Sequence, residues 1–103
     1  MFRRQRTDDY LCAHPLPSLS EDDVNILVER LNFSPARKLE IENLKFDDRY
    51  REIVRCMTEN LTPEIVDSHR RLCADCGLVD WHEYFDRLDR SCFQPTRILL
   101  FYM

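Results

Sequence analysis

The chain has a single glycine among its 103 residues. That scarcity excludes a glycine-rich phosphate loop, a collagen repeat and a glycine linker. It also disfavours a fold built from tight hairpins, whose turns draw on glycine at positive φ. Long apolar runs are missing too. The longest, Ile98 to Met103, has six residues, far short of the ~20 that span a bilayer. There is no internal repeat and no low-complexity tract. Histidine is scarce, with only His14, His69 and His82. What is present is a chain of 44% hydrophobic and 33% charged residues, too apolar to be wholly disordered. About 100 residues make one domain or part of a larger assembly. A chain this short buries only roughly 60–65% of its unfolded surface, so it is marginal alone.

Charge is unevenly placed. Arg3, Arg4 and Arg6 put three positive charges on the first six residues, and the remaining 97 carry 12 Lys and Arg against 19 Asp and Glu. An acidic body argues against a nucleic-acid partner, which requires a basic face to displace counterions. The Met1-Phe2-Arg3-Arg4-Gln5-Arg6 start resembles the opening of a mitochondrial targeting segment, rich in arginine and free of acid, until Asp8 and Asp9. A basic, solvated N-terminus is the plainer reading. The five cysteines, Cys12, Cys56, Cys73, Cys76 and Cys92, are odd in number and follow no secretory signal. They read as reduced thiols rather than a disulfide framework.

Helix punctuation recurs along the chain. Residues 1–17 contain Pro15 and Pro17 with no helical period, which predicts an extended arm. Ser20 with Asp23 resembles a capping box. Val24, Leu27, Val28 and Leu31 then follow the i, i+3, i+4, i+7 stripe of an amphipathic helix. Ser34-Pro35 is a second start, an N-cap followed by proline at the first helical position. Asp47 or Asp48 opens a third segment carrying Tyr50, Ile53, Val54, Met57 and Leu61. Thr62-Pro63 opens a fourth with Ile65, Val66, His69, Leu72, Cys73 and Cys76. Gly77 sits where a helix end favours a left-handed residue. Asp80 with Glu83 is a fifth, box-like start, before Trp81, Tyr84, Phe85, Leu88 and Cys92. The expectation is an all-α protein of about five short helices, in three parts: an arm over 1–17, a single helical domain over 18–96 and an apolar docking segment over 97–103.

Few residues suggest chemistry. On one helix face His69, Cys73 and Cys76 could supply three of the four tetrahedral zinc positions, with His82, Cys92 or the Cys12–His14 pair as the fourth. The alternative is a set of small buried thiols. A redox Cys-x-x-Cys should open a helix, where the dipole lowers the thiol pKa, and this one closes a helix. The carboxylates cluster at helix starts, where the macrodipole accounts for them. No nucleophile stands in a recognisable catalytic setting. The expectation is a protein that is not an enzyme and holds no cofactor. The apolar end, with Leu99, Leu100, Phe101 and Tyr102, suggests docking against a partner chain.

From Asp47 to Pro95 the order of features resembles a known family. Asp47-Asp48 precedes Glu52-Ile53-Val54-Arg55, and Met57-Thr58-Glu59-Asn60-Leu61 stands at a turn. His69-Arg70-Arg71-Leu72 forms a basic cluster. Trp81-His82-Glu83-Tyr84-Phe85 is followed by Cys92-Phe93-Gln94-Pro95. This succession is similar to that of the 14 kDa subunit (subunit 7) family of mitochondrial ubiquinol–cytochrome c reductase, respiratory complex III. It departs at Thr58, where the family has proline, and at 97–103, apolar where the family's end is charged. The resemblance implies a non-catalytic accessory subunit on the matrix side of the mitochondrial inner membrane. Such a subunit is peripheral to the bilayer, touches cytochrome b and the core proteins, and supports assembly. Carried over, Arg55, Arg70, Arg71, Trp81, Phe93 and Pro95 become contact candidates. A free-standing helical adaptor module and a small zinc-binding helical protein are the rival readings.

Overall fold

The structure is a computed structural model and describes residues 6–94. Among the described residues it is all-helical, with six helices and no strand: α1 (Arg6–Ala13), α2 (Glu21–Arg30), α3 (Pro35–Glu42), α4 (Phe46–Thr58), α5 (Pro63–Asp75) and α6 (Val79–Cys92). The described chain divides into two compact units. One is Ser18–Glu59, and the other joins the residues before it to those from Asn60 onward. Residues 6–17 group with the last two helices, whereas the expected helical domain ran over 18–96.

In the Ser18–Glu59 unit the expected capping box at Ser20 is formed. Ser20 Oγ accepts the Asp23 N–H at 3.1 Å, and the Asp23 carboxylate accepts the Ser20 N–H at 3.2 Å. The helix this opens buries Val24, Leu27 and Val28. α3 is capped by Ser34, whose Oγ accepts the Arg37 N–H at 3.2 Å, with Pro35 at its first position. It buries only Ile41, and Leu39 stands exposed. α4 begins one residue before the acidic pair Asp47 and Asp48, which therefore lie in its first turn beside the unpaired amides. Ile53 and Met57 are buried on its inner face. Arg49 ties α4 to α2 by donating to Asn25 at 3.1 Å, and the Tyr50 hydroxyl accepts the Leu19 N–H at 3.2 Å.

The other unit is organised by α5 and α6. Thr62 caps α5, its Oγ1 accepting the Ile65 N–H at 3.2 Å. At the other end of α5, Gly77 adopts φ +75°. The Gly77 N–H donates to the Ala74 carbonyl at 3.2 Å and the Leu78 N–H to the Cys73 carbonyl at 2.8 Å. This is a Schellman closure, with its usual apolar pair supplied by buried Cys73 and Leu78. The same Leu78 is the N-cap of α6. The expected box start at Asp80 is therefore not used. The turn delivers the chain directly into α6, and Asp80 sits in the first turn, where its charge faces the helix dipole. Trp81, Tyr84, Phe85, Leu88, Asp89 and Cys92 are buried along α6. Trp81 and Phe85 are tilted rings with centroids 5.8 Å apart, and Tyr84 meets Phe85 edge-on at 6.3 Å.

Residues 6–13 are helical, not extended as expected. Pro15 and Pro17 end a helix here rather than precluding one. The face is Thr7, Tyr10, Leu11 and His14 at i, i+3, i+4 and i+7, but only one of the four is aliphatic, so the period is hidden from a hydrophobicity reading. Thr7 is buried. The Tyr10 ring stacks on His14 at 3.9 Å and meets Tyr84 edge-on at 5.6 Å. The Tyr84 hydroxyl donates to the His14 carbonyl at 2.7 Å, which holds the end of α1 on α6.

The Gly77 turn is open to a direct test. Beyond Gly77 itself and its chain neighbours nothing lies within 4 Å of where a Cβ would stand, so substitution meets only the backbone penalty of the left-handed region. Gly77→Ala is expected to cost about 1 kcal/mol, read from the urea midpoint at unchanged slope. A neutral effect would show that the turn is not held at positive φ.

Candidate functional site

Cys73 and Cys76 lie on the last turn of α5. Cys73 is fully buried, and Cys76 is half-buried as the C-cap. Burial pushes the Cys73 thiol up from an ordinary 9.0 to about 12, with Cys76 adding to the rise. His69 is half-buried, its ring tilted against Phe85 at a centroid distance of 5.5 Å. Among the described residues no group of three or more His, Cys, Asp or Glu side chains is arranged to hold a metal ion. The expected His69, Cys73, Cys76 set therefore does not come together as a zinc site. Cys73 faces the core as the apolar half of the helix closure. The proposed fourth ligands are engaged elsewhere. His82 Nδ1 lies 3.1 Å from the Arg70 carbonyl, and His14 Nδ1 lies 3.0 Å from the Tyr10 carbonyl. Cys92 is buried and Cys12 exposed.

The expected contact residues have divergent settings. Trp81 is 1% exposed, so it belongs to the core and cannot meet a partner. Arg70 is half-buried between two helices, pairing with Asp67 on its own helix and with Asp86 on α6 at 3.2 Å. The hydrogen bond to Asp67, ahead of that to Asp86, pushes its pKa above the ordinary arginine value. Arg71 is exposed and pairs with Asp67 at 3.1 Å. Arg55 is exposed and shares the Glu52 carboxylate, at 3.0 Å, with Arg37 of α3. Arg55 and Arg71 are therefore on the surface, while Arg70 ties α5 to α6. Pro95, Leu99, Leu100, Phe101 and Tyr102 lie outside the described residues.

Phe93 lines a recess of about 380 Å³ together with Arg6, Thr7, Leu61, Thr62, Pro63 and Cys92. Its walls come from the start of α1, the start of α5 and the end of α6. No local sequence signal joins these three segments, so the recess is invisible to motif reading. A smaller recess of about 250 Å³ lies between Pro15 and Pro17 on one side and Asp80, Glu83, Tyr84 and Arg87 of α6 on the other. The Tyr84 hydroxyl beside it is held protonated well into the alkaline range. Burial first, then Tyr10 and Cys92, push it up to about 12.

Comparison with known protein families, with curated proteins and with solved structures finds no match to this chain.

The thiols make a graded chemical probe. With iodoacetamide at pH 8 the exposed Cys12 is expected to react first and the buried Cys73 last, read by mass spectrometry of the native chain. Alkylation of Cys73 as fast as Cys12 would contradict its burial. Linkage gives the pH side. Cys73 and Tyr84 have folded pKa values above their unfolded ones, 9.0 and 10.0. Their contribution is complete below about pH 9 and is lost as pH rises toward 12. Denaturation midpoints should therefore fall steadily above pH 9, and Cys73→Ser should flatten the lower part of that fall.

Proposed function

We propose that the chain is a non-catalytic helical interaction protein, contributing surface rather than chemistry to a larger assembly. The supporting observation is how its reactive side chains are used. Cys73 is buried with its proton firmly held. The His14 and His82 rings sit against backbone carbonyls. The charged residues of the helix faces are engaged with one another, Arg37 with Glu40 and Glu52, Lys38 with Glu29, and Arg70 with Asp67 and Asp86. These assignments leave recognition, not reaction, as the reading best supported.

Two forms of that role are separable. The resemblance over 47–95 names an accessory subunit of ubiquinol–cytochrome c reductase, peripheral on the matrix side of the inner mitochondrial membrane. In agreement with a peripheral position, no helix among the described residues is long and apolar enough to cross a membrane. A specific observation favours the adaptor form instead. The chain buries Leu27, Ile41, Ile53 and Met57 in one unit and Val66, Cys73, Trp81, Phe85 and Leu88 in the other, each below 2% exposure. Two units that each bury apolar side chains of their own are what a free-standing module requires.

The test is to tag the full chain, extract it in mild detergent and identify what co-purifies in stoichiometric amount. Cytochrome b and the core proteins would establish the subunit form. A different protein partner, with the isolated chain remaining a folded monomer, would establish the adaptor. No stoichiometric protein partner would overturn the interaction role.

A further inference from the structure

Ser34-Pro35-Ala36-Arg37-Lys38 carries more than a helix start. Ser34 is exposed and extended, at φ −63° and ψ 155°. The residue after it is proline, and the third and fourth residues after it are cations. A proline-directed protein kinase reads this order. Its groove accepts an imide with no N–H after the acceptor, and its acidic rim pairs with a base two positions beyond the proline. A second site in the same chain serves as an internal control. Thr62-Pro63 has the same N-cap and first-position proline, but Glu64 and Ile65 follow it. It has the hydroxyl and the proline without the cation.

We propose that Ser34 is a phosphoacceptor for a proline-directed protein kinase, and that its phosphate draws Arg37 and Lys38 away from the neighbouring helices. In the transfer, Ser34 Oγ attacks the γ-phosphorus of magnesium-bound ATP. The Oγ–P bond forms, the bond from that phosphorus to the bridging oxygen breaks, and ADP leaves. The hydroxyl proton passes to the kinase's catalytic carboxylate. The backbone can yield to the kinase groove. Leu31 to Ser34 is already irregular, and α3 has only eight residues, below the roughly 12–15 at which a helix sustains itself.

The consequence follows from where the two cations now point. Arg37 bonds to Glu40 on its own helix and to Glu52 of α4. Lys38 bonds to Glu29 of α2 at 2.6 Å. They are thus the charged ties from α3 to both its neighbours. A phosphate on Ser34 adds close to two negative charges at the start of α3, within the turn that carries both cations. It strengthens that first turn, where the dipole favours an anion, while competing with Glu52 and Glu29 for their partners. α3 becomes firmer in itself and less tightly tied to α4 and α2.

The experiment incubates the full folded chain with a purified cyclin-dependent kinase and magnesium ATP, and maps the phosphate by mass spectrometry. One phosphate on Ser34 is expected. Pro35→Ala, which keeps the hydroxyl and the cap, should lose most of the incorporation, and Arg37→Gln should reduce it. In the phosphorylated chain the Arg37 Nε–H resonance should shift, and the α3 amides should exchange roughly two- to fivefold more slowly. Label on Thr62 equal to that on Ser34 would overturn the assignment. So would a folded chain left unlabelled, whether or not the unfolded chain accepts phosphate. An unmoved Arg37 resonance in the phosphorylated chain would overturn the rearrangement.

Discussion

The hydrogen bond from the Leu78 N–H to the Cys73 carbonyl, closed over a left-handed Gly77, is the constraint on which the second unit depends. It reverses the chain within three residues and leaves no freedom for a loop. Because Leu78 both ends one closure and begins the next helix, α6 leaves the turn in a fixed direction. Trp81, Tyr84, Phe85 and Leu88 are thereby placed in the core. Tyr84 then presents its hydroxyl to the carbonyl of His14, so the placement of α1 is inherited from the same turn. The side chains at the turn are buried too, which explains why Cys73 is an apolar filler. The Cys73 carbonyl closes the helix end, and its thiol is buried beside that closure.

The sole glycine of the sequence stands at this position for a stereochemical reason. Elsewhere helices end without one. Leu31 and Glu59 close theirs in extended backbone, and the connection after α4 uses Asn60 at φ 53°, a residue whose short polar side chain tolerates the left-handed region. Serine or threonine caps start α2, α3 and α5, with proline next in α3 and α5. Little glycine is needed when turns are made at helix starts rather than at hairpins.

What was legible and what was not divides along physical lines. The caps at Ser20, Ser34 and Thr62 and the stop at Gly77 are local hydrogen-bond events, decided within four residues, and a sequence displays them. The aliphatic stripe of α2 and the largely aromatic stripe of α6 follow their helical period plainly. α1 was hidden because its inward side is buried Thr7 with half-buried Tyr10 and Leu11, of which only Leu11 is aliphatic. The start of α6 was misplaced because a backbone closure, not a side-chain cap, sets it. At the candidate site, the i, i+4 and i+7 spacing put His69 and Cys73 on α5 with Cys76 at its C-cap, but the side facing the core is a tertiary property. Trp81 illustrates the same limit. Its helix position was evident, while its 1% exposure depends on what packs over it. The recess beside Phe93 is assembled from three separate segments, so no window of sequence contains it.

Interior and surface obey different rules here, and the difference bears on recognition. The cores are built from dispersion contacts and from one hydrogen-bonded reversal, where a single lost group leaves a void or a strained turn. The surface is built from ion pairs such as Arg55 with Glu52, Arg71 with Asp67 and Arg90 with Asp86. Exposed pairs of this kind contribute about 0–1 kcal/mol each, so an approaching partner can replace them at little cost. Glu52 accepts from both Arg37 and Arg55, and a competing anion therefore has two cations to recruit within one cluster. Net charge selects poorly on such a surface, because opposite signs are interspersed. The spacing of the pairs selects better, since a partner must meet several of them in register. An inert interior with an exchangeable charged exterior is the combination a binding role requires, and it is also the one on which a single added phosphate acts most directly.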